Sequence, residues 1–192
     1  TDRQAFEYKA SHDSLTDIPN RFEFFRRIES DLNECQKQHK KLAVVFVDLD
    51  GFKPVNDIHG HFAGDILLIE IAQRLKSHIR SSDTAARIGG DEFALILAGA
   101  DGVAEISNII DSIQKAIAKP VDIGSGKMVS VQGSIGIAIY PDHSYDADEL
   151  CRFADAAMYK AKEVKDTYVT FNDEIRQSMG VNPTNSFRSE LR

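Results

Sequence analysis

The sequence predicts an α+β fold in which helices pack against a single layer of β-sheet. Residues 42–47 form a continuous, valine-rich apolar run that is typical of a buried strand. Residues 64–80 carry apolar side chains at helical spacing. Two strand-like runs, residues 84–88 and 92–97, are separated by Gly89-Gly90-Asp91. Because glycine accepts a positive φ at little cost, these glycines predict a tight hairpin.

The remaining elements follow in chain order. Residues 1–12 predict the end of an incoming helix or a linker. Asn20 is a suitable N-cap for a helix through residue 38, with a predicted apolar stripe of Phe22, Phe25, Ile28 and Leu32. The segment between residues 47 and 64 is rich in Asp, Gly and Pro and predicts a loop. Helices are also predicted over residues 103–118 and 146–162, strands over 129–140 and 168–171, and a C-terminal linker over 173–192.

The composition limits the classes of partner. Hydrophobic residues make up 42% of the 192 residues, enough for the core of one domain. The formal net charge of −7 argues against a nucleic-acid polymer as partner. No apolar run approaches the roughly 18 residues of a membrane span, so no membrane contact is expected from this segment. Cys35 and Cys151 lie far apart and indicate free thiols in a reducing compartment, the cytoplasm.

Asp48 follows directly on the apolar run of the first predicted strand. A carboxylate at that position is costly to bury unless a positive partner pairs with it. Mg²⁺ is such a partner, because it takes one or two protein carboxylates and completes its shell with water and phosphate oxygens. The alternative is that Asp48 caps the following turn. Lys53 is placed either to meet a phosphate or simply to be solvated.

Asp91 occupies the predicted hairpin tip, where the two glycines let a ligand approach the backbone. The alternative is an ordinary acidic hairpin tip. If the strands at Asp48 and Asp91 are neighbours, the two carboxylates converge and could hold metal ions that clamp a triphosphate. His59 and His61 are poor evidence for zinc, because no cysteine or third histidine accompanies them.

Five ordered blocks carry a specific resemblance: residues 13–21 (DSLTDIPNR), 48–57 (DLDGFKPVND), 60–65 (GHFAGD), 89–93 (GGDEF) and 154–162 (ADAAMYKAK). Together they resemble the motifs of the GGDEF family of diguanylate cyclases over about residues 11–172. The resemblance implies a palm-like nucleotidyl-cyclase fold with a mainly antiparallel central sheet flanked by helices. It also implies a homodimer in which each domain binds one GTP with Mg²⁺ or Mn²⁺. The products would be cyclic di-GMP, which would also inhibit the enzyme, and two pyrophosphates.

The resemblance also implies roles for individual residues. By motif position, the metal would be held by Asp48, the Leu49 carbonyl and Asp91 with support from Glu92, and the catalytic residues would be Asp91 and Glu92. Guanine would be read by Asn56 and Asp65 with His61 nearby, and the triphosphate would be lined by Phe52, Lys53 and Lys162. The product would bind and inhibit at Arg80 and Asp83. These roles suit the chemistry, since a carboxylate accepts hydrogen bonds from guanine's N1 and N2 and an amide meets O6 or N3.

Two positions depart from the family pattern. Asp17 replaces the glycine of the first block, and Asp166 stands where the family has an arginine that helps to hold the γ-phosphate. The leading hypothesis is an active cyclase. One alternative is a catalytically weak module that binds GTP or cyclic di-GMP and regulates an attached phosphodiesterase domain. Another is a cyclase that acts on a different nucleotide.

Overall fold

The computed structural model describes residues 2–164 and 168–180 of the chain. In chain order the elements are α1 (Asp2–Ser11), α2 (Arg21–Gln38), β1 (Lys41–Asp50), α3 (Phe52–His59), α4 (His61–Ser77), β2 (Thr84–Gly89), β3 (Glu92–Ala100), α5 (Val103–Ala118), β4 (Val121–Asp122), β5 (Met128–Val129), β6 (Gln132–Tyr140), α6 (Ala147–Val164), β7 (Tyr168–Thr170) and α7 (Asp173–Met179). None of the helices in these residues is long and apolar enough to cross a bilayer.

The central sheet has the strand order β2-β3-β1-β6-β7 within the described residues. Its pairings are antiparallel except for β6 with β7, which is parallel. Residues of β1 alternate between two cores, because successive side chains point to opposite faces of a sheet. Val45 and Val47 pack with α4 and α5, whereas Val44 and Phe46 pack with α2 and α6. The predicted α+β class, with a mainly antiparallel sheet flanked by helices, is confirmed.

Two expectations near the N-terminal half are wrong. The predicted loop after β1 contains α3, whose Pro54 lies in the first helical turn, where the missing N–H has no helical partner to lose. α4 accordingly begins at His61 instead of residue 64. In α2, Phe22 is 62% exposed and Phe24 is fully buried. The two lie about 200° apart around the helix axis, so only one of them can face the core with Ile28.

The predicted C-terminal linker is also wrong in its first part, because residues 173–179 form α7. Asn172 caps this helix by accepting a hydrogen bond from the Ile175 N–H at 3.0 Å. Ile175 is buried, and the Arg176 guanidinium lies 4.7 Å from the centre of the Phe153 ring. These contacts attach α7 to the domain. Residues 181–192 of the predicted linker lie outside the described residues.

Candidate active site

The end of β1 lies beside the hairpin that joins β2 and β3. Asp48 of β1 is directly opposite Glu92 of β3 in the register of the sheet. One residue further, the Leu49 N–H donates a hydrogen bond to the Asp91 carbonyl at 3.2 Å. β1 and β3 are therefore neighbours in the sheet, which is the condition for the Asp48 and Asp91 carboxylates to converge.

The hairpin turn places Asp91 at an open edge of the sheet. Gly90 adopts a φ of +50°, a left-handed conformation that side chains with a Cβ rarely take. A Cβ built at Gly89 or Gly90 would meet no other atom within 4 Å. The turn therefore leaves room for a ligand to approach the backbone next to Asp91.

Negative charge is concentrated at this strand end. Asp48 is buried, and its Oδ2 forms an ion pair with the Lys162 ammonium of α6 at 2.9 Å. Burial and the nearby charge of Asp48 both raise the pKa of the Asp91 carboxyl. The same two causes raise the pKa of Glu92. Burial works to lower the pKa of Lys162, but its ion pair with Asp48 outweighs this and the net shift is upward.

The oxygen donors here fit a hard divalent cation. Asp48, Asp91 and the Leu49 carbonyl offer two carboxylates and a neutral oxygen, a set that Mg²⁺ completes with water and phosphate oxygens. A cation between the two carboxylates would relieve the repulsion that raises the pKa of Asp91. No group of three His, Cys, Asp or Glu side chains in the described part of the chain is arranged to hold a metal.

The predicted guanine residues gather where α3 meets α4. Asn56 lies in α3, and its Oδ1 is buried without a hydrogen-bond partner among the described residues. Gly64 of α4 makes room for this amide, since a Cβ there would lie 1.9 Å from the Asn56 Oδ1. Asp65 and His61 are exposed on the adjoining first turns of α4. Because an unpaired buried acceptor costs free energy, the Asn56 amide suits a ligand that supplies the missing partner.

The N-terminus of α3 is a feature that the sequence interpretation missed. Phe52 packs partly against the core and Lys53 is exposed in the first turn of this helix. β1 ends at Asp50 and α3 begins two residues later at Phe52, so the free N–H groups of its first turn follow closely on the strand end that carries Asp48. Such N–H groups attract phosphate. Pro54, a residue favoured in first helical turns, was the sequence signal that could have revealed α3.

A cavity of about 670 Å³ that Asp48 also lines opens between α6, β7 and α7. Its lining includes Asp48, Glu92 and Lys162, together with Asn172 and Ser178 from the C-terminal segment. The contribution of α7 was not foreseen, because the sequence there predicts a linker. The cavity thus extends the candidate site beyond the motif residues.

Arg80 and Asp83 are held tightly within the domain. The Arg80 Nε and Nη2 each donate to the Asp83 carboxylate at 2.9 Å, and Nη2 also donates to the Ala98 carbonyl at 3.0 Å. Arg80 Nη1 forms an ion pair with Glu105. Most of the guanidinium donors are therefore already used, and a ligand here would stack on the arginine or displace Glu105. Product inhibition at Arg80 and Asp83 stays a prediction.

The two departures from the motif pattern fall in different parts of the structure. Asp17 adopts a φ of +58°, so it takes the left-handed conformation that a glycine would accept at that position. The Tyr8 hydroxyl donates a hydrogen bond to the Asp17 carboxylate at 2.9 Å. The first motif block therefore keeps its turn despite the substitution. Asp166 lies outside the described residues.

Comparisons with known proteins point to one family. A family model described as "Diguanylate cyclase, GGDEF domain" matches residues 10–167. Diguanylate cyclase TpbB of Pseudomonas aeruginosa is 43% identical over 155 residues, which are 81% of this chain and 36% of that protein. The same species has the bifunctional diguanylate cyclase/cyclic di-GMP phosphodiesterase MucR, 44% identical over 154 residues, which are 80% of this chain and 22% of that protein. The chain thus spans little more than a third of the first of these relatives and less of the second.

A solved structure extends the comparison to three dimensions. It comprises only the GGDEF domain of TpbB and matches with a TM-score of 0.84 at 39% identity. The match covers 88% of this chain and 99% of that one. The similarity therefore includes the arrangement of the whole sheet and its flanking helices.

Proposed function

Because this chain belongs to the GGDEF family of diguanylate cyclase domains, we propose that it condenses two GTP molecules into cyclic di-GMP and two pyrophosphates. The observation that carries the proposal is the pairing of β1 with β3, which places Asp48 and the hairpin of Asp91 side by side. That arrangement suits phosphoryl transfer, a reaction that depends mainly on positioning and electrostatic stabilisation.

Each side chain has a distinct task in this reaction. Asp48, the Leu49 carbonyl and Asp91 would hold Mg²⁺, or Mn²⁺ in its place, and the bound ion would neutralise phosphate charge and make a hydroxyl more acidic. Asp91 accepts the proton of the 3′-hydroxyl of the GTP bound in its own domain. The 3′-oxygen then bonds to the α-phosphorus of the GTP held by the opposite domain. The bond between the α-phosphorus and the bridging oxygen breaks, and pyrophosphate leaves with that oxygen. Lys162 and the N–H groups of α3 stabilise the triphosphate.

Asn56 and Asp65 would select guanine, and a substitution at Gly64 tests this without replacing either residue. We expect Gly64→Ala to push the Asn56 amide aside, because the new Cβ would overlap it. Loss of a buried hydrogen bond to the base costs about 1–3 kcal/mol, which corresponds to a weakening of roughly 5- to 150-fold. Calorimetry with 3′-deoxy-GTP, which lacks the attacking hydroxyl, measures this without turnover.

Asp65→Ala is expected to act in the same direction and to narrow the preference for GTP over ATP. Asp57→Ala is the matched control, because Asp57 is an exposed carboxylate of α3 next to Asn56. The control should bind like the parent domain. Unchanged discrimination between GTP and ATP in both test variants would contradict the placement of guanine between α3 and α4.

The decisive experiment is incubation of the domain with GTP and Mg²⁺ or Mn²⁺, with the product identified by mass. Specific activity should rise with protein concentration, because the chain holds one set of motifs whereas the product contains two GMP units. The active species would be a two-fold symmetric pair with opposed hairpins. Constant specific activity over a wide dilution series, with the protein monomeric by light scattering, would refute the dimer mechanism.

A catalytically weak regulatory module is the second candidate function. The observation in its favour is Asp166, which replaces the arginine expected near the γ-phosphate. An acidic side chain there would repel the triphosphate instead of binding it. Binding of GTP without formation of cyclic di-GMP at any protein concentration would favour this candidate over the cyclase.

A further inference from the structure

Arg87 joins the catalytic hairpin to the N-terminal turn of the domain. It lies on β2, and its Nε and Nη2 donate hydrogen bonds to the Gly90 carbonyl at 3.0 and 2.8 Å. Its Nη1 donates to both carboxylate oxygens of Asp13, at 3.1 and 3.2 Å. Gly90 immediately precedes Asp91, so one guanidinium connects residue 13 with the backbone next to the candidate catalytic carboxylate.

Asp13 is itself held in a fixed orientation. Its Oδ2 accepts hydrogen bonds from the Thr16 N–H at 2.9 Å and from the Thr16 hydroxyl at 2.7 Å. Burial works to raise the pKa of Asp13, but the hydrogen bonds from Thr16 and Arg87 outweigh it and the net shift is downward. The carboxylate is therefore charged and oriented for the Arg87 guanidinium before any ligand arrives.

The backbone reinforces the same connection. The Arg87 N–H donates to the Pro19 carbonyl at 3.0 Å, and Asn20 forms an isolated parallel bridge with Arg87. The Asn20 N–H donates to the carbonyl of Ser11, the last residue of α1, at 2.9 Å. The turn over residues 11–20 is thus closed on itself and attached to β2 close to the hairpin.

We propose that Arg87, oriented by Asp13, is a positioning residue that sets the place of Asp91 by holding the carbonyl of Gly90. Through this contact, the turn that follows α1 controls turnover although it touches no substrate. The proposal rests on the cyclase function proposed for Asp91. A Cβ at Gly90 would meet no other atom within 4 Å, so we expect the turn to shift when the guanidinium is removed, even though the Leu49 N–H still holds the Asp91 carbonyl. A displacement of about 1 Å at a reacting group can cost about 100-fold in rate.

The test compares Arg87 with another arginine that is equally buried and also binds backbone carbonyls. Arg74 is the matched control, because its side chain is 15% exposed, as is that of Arg87. It also donates to backbone carbonyls, those of Ala116, Lys119 and Pro120, at the C-terminal end of α5. Lysine keeps the positive charge in both cases but loses the planar fork that spans two acceptors.

We expect Arg87→Lys to lower kcat by about 10- to 100-fold, the usual loss when a group supporting a reactive residue is removed. The KM for GTP should stay unchanged, because Arg87 does not contact the nucleotide in this proposal. Asp13→Asn should act in the same direction, and the double variant should lose less than the sum of the two, since both changes break one contact. Arg74→Lys should lower the melting temperature comparably and leave kcat unaltered.

Amide hydrogen exchange separates this proposal from the proposed function, since it needs no substrate. The amide of Glu92, which pairs across the hairpin with Gly89, should exchange faster in Arg87→Lys and Asp13→Asn than in Arg74→Lys. If the parent domain makes no cyclic di-GMP but the Arg87→Lys and Asp13→Asn variants still show faster hairpin exchange, the cyclase function is rejected and the positioning contact is retained. Unchanged exchange, or an unchanged kcat in an active domain, would overturn the proposal for Arg87.

Discussion

Asp48→Asn and Asp91→Asn are each expected to reduce the turnover of GTP by about 100-fold or more, while the domain stays folded. Both substitutions keep the shape of the side chain and remove its charge. In the proposed mechanism, the negative charge of these carboxylates binds the divalent cation, and Asp91 also receives the proton of the attacking hydroxyl. The loss should therefore appear in kcat at saturating GTP.

Asp50→Asn is the control for these two variants. Asp50 ends the same strand and is exposed, and its carboxylate accepts a hydrogen bond from Ser134. It contributes to the local negative charge without being one of the proposed metal ligands, so its replacement should cost much less. Melting curves by circular dichroism establish that all three variants are folded. Product formation at the parent rate by either Asp48→Asn or Asp91→Asn would refute the metal assignment.

Gly136→Ala is expected to have the largest effect on stability. Gly136 lies in β6 where α6 crosses the sheet, and a Cβ there would be 2.0 Å from the Ala154 carbonyl oxygen and 2.1 Å from the Met158 nitrogen. Both atoms belong to the backbone of α6, so no side-chain rotation can make room. The helix would have to move off the sheet, at a cost of about 3 kcal/mol or more.

Such a loss is a large part of the roughly 5–15 kcal/mol by which domains are stable. Urea unfolding measures it as a fall in the midpoint with little change in slope. Gly133→Ala is the control in the same strand, because its Cβ would meet the end of the flexible Ile117 side chain at 3.1 Å. Equal unfolding midpoints for the two variants would show that α6 does not limit the space at Gly136.

The sequence predicted those features that depend on short-range pattern. The Val-rich run of β1, the glycines between β2 and β3 and the Asn20 cap of α2 each express a local preference of the backbone. The five motif blocks also identified the family, because their residue types and order survive in the primary sequence. Candidate residues Asp48 and Asp91 could be chosen from such local information alone.

Tertiary packing decided the features for which local signals were weak or ambiguous. Phe22 and Phe24 are equally apolar, and only the position of the sheet determines that Phe24 is buried. α7 has a polar composition, and its place depends on the burial of Ile175 and on the Arg176 guanidinium, which lies over the rings of Phe153 and Phe171. In both cases the favourable free energy comes from contacts made only after the chain has folded.

The partners of the charged groups show the same division most clearly. The position of Asp48 at the end of an apolar strand predicted either a positive partner or a turn cap, and only the fold shows its ion pair with Lys162, which joins the end of β1 to α6. Arg87 reaches Asp13 across 74 positions of the chain. Coulomb energy depends on distance in space and on burial, neither of which is a property of a residue's position in the sequence. The sequence alone therefore determined which groups are candidates for the chemistry, and only the fold decided which of them meet.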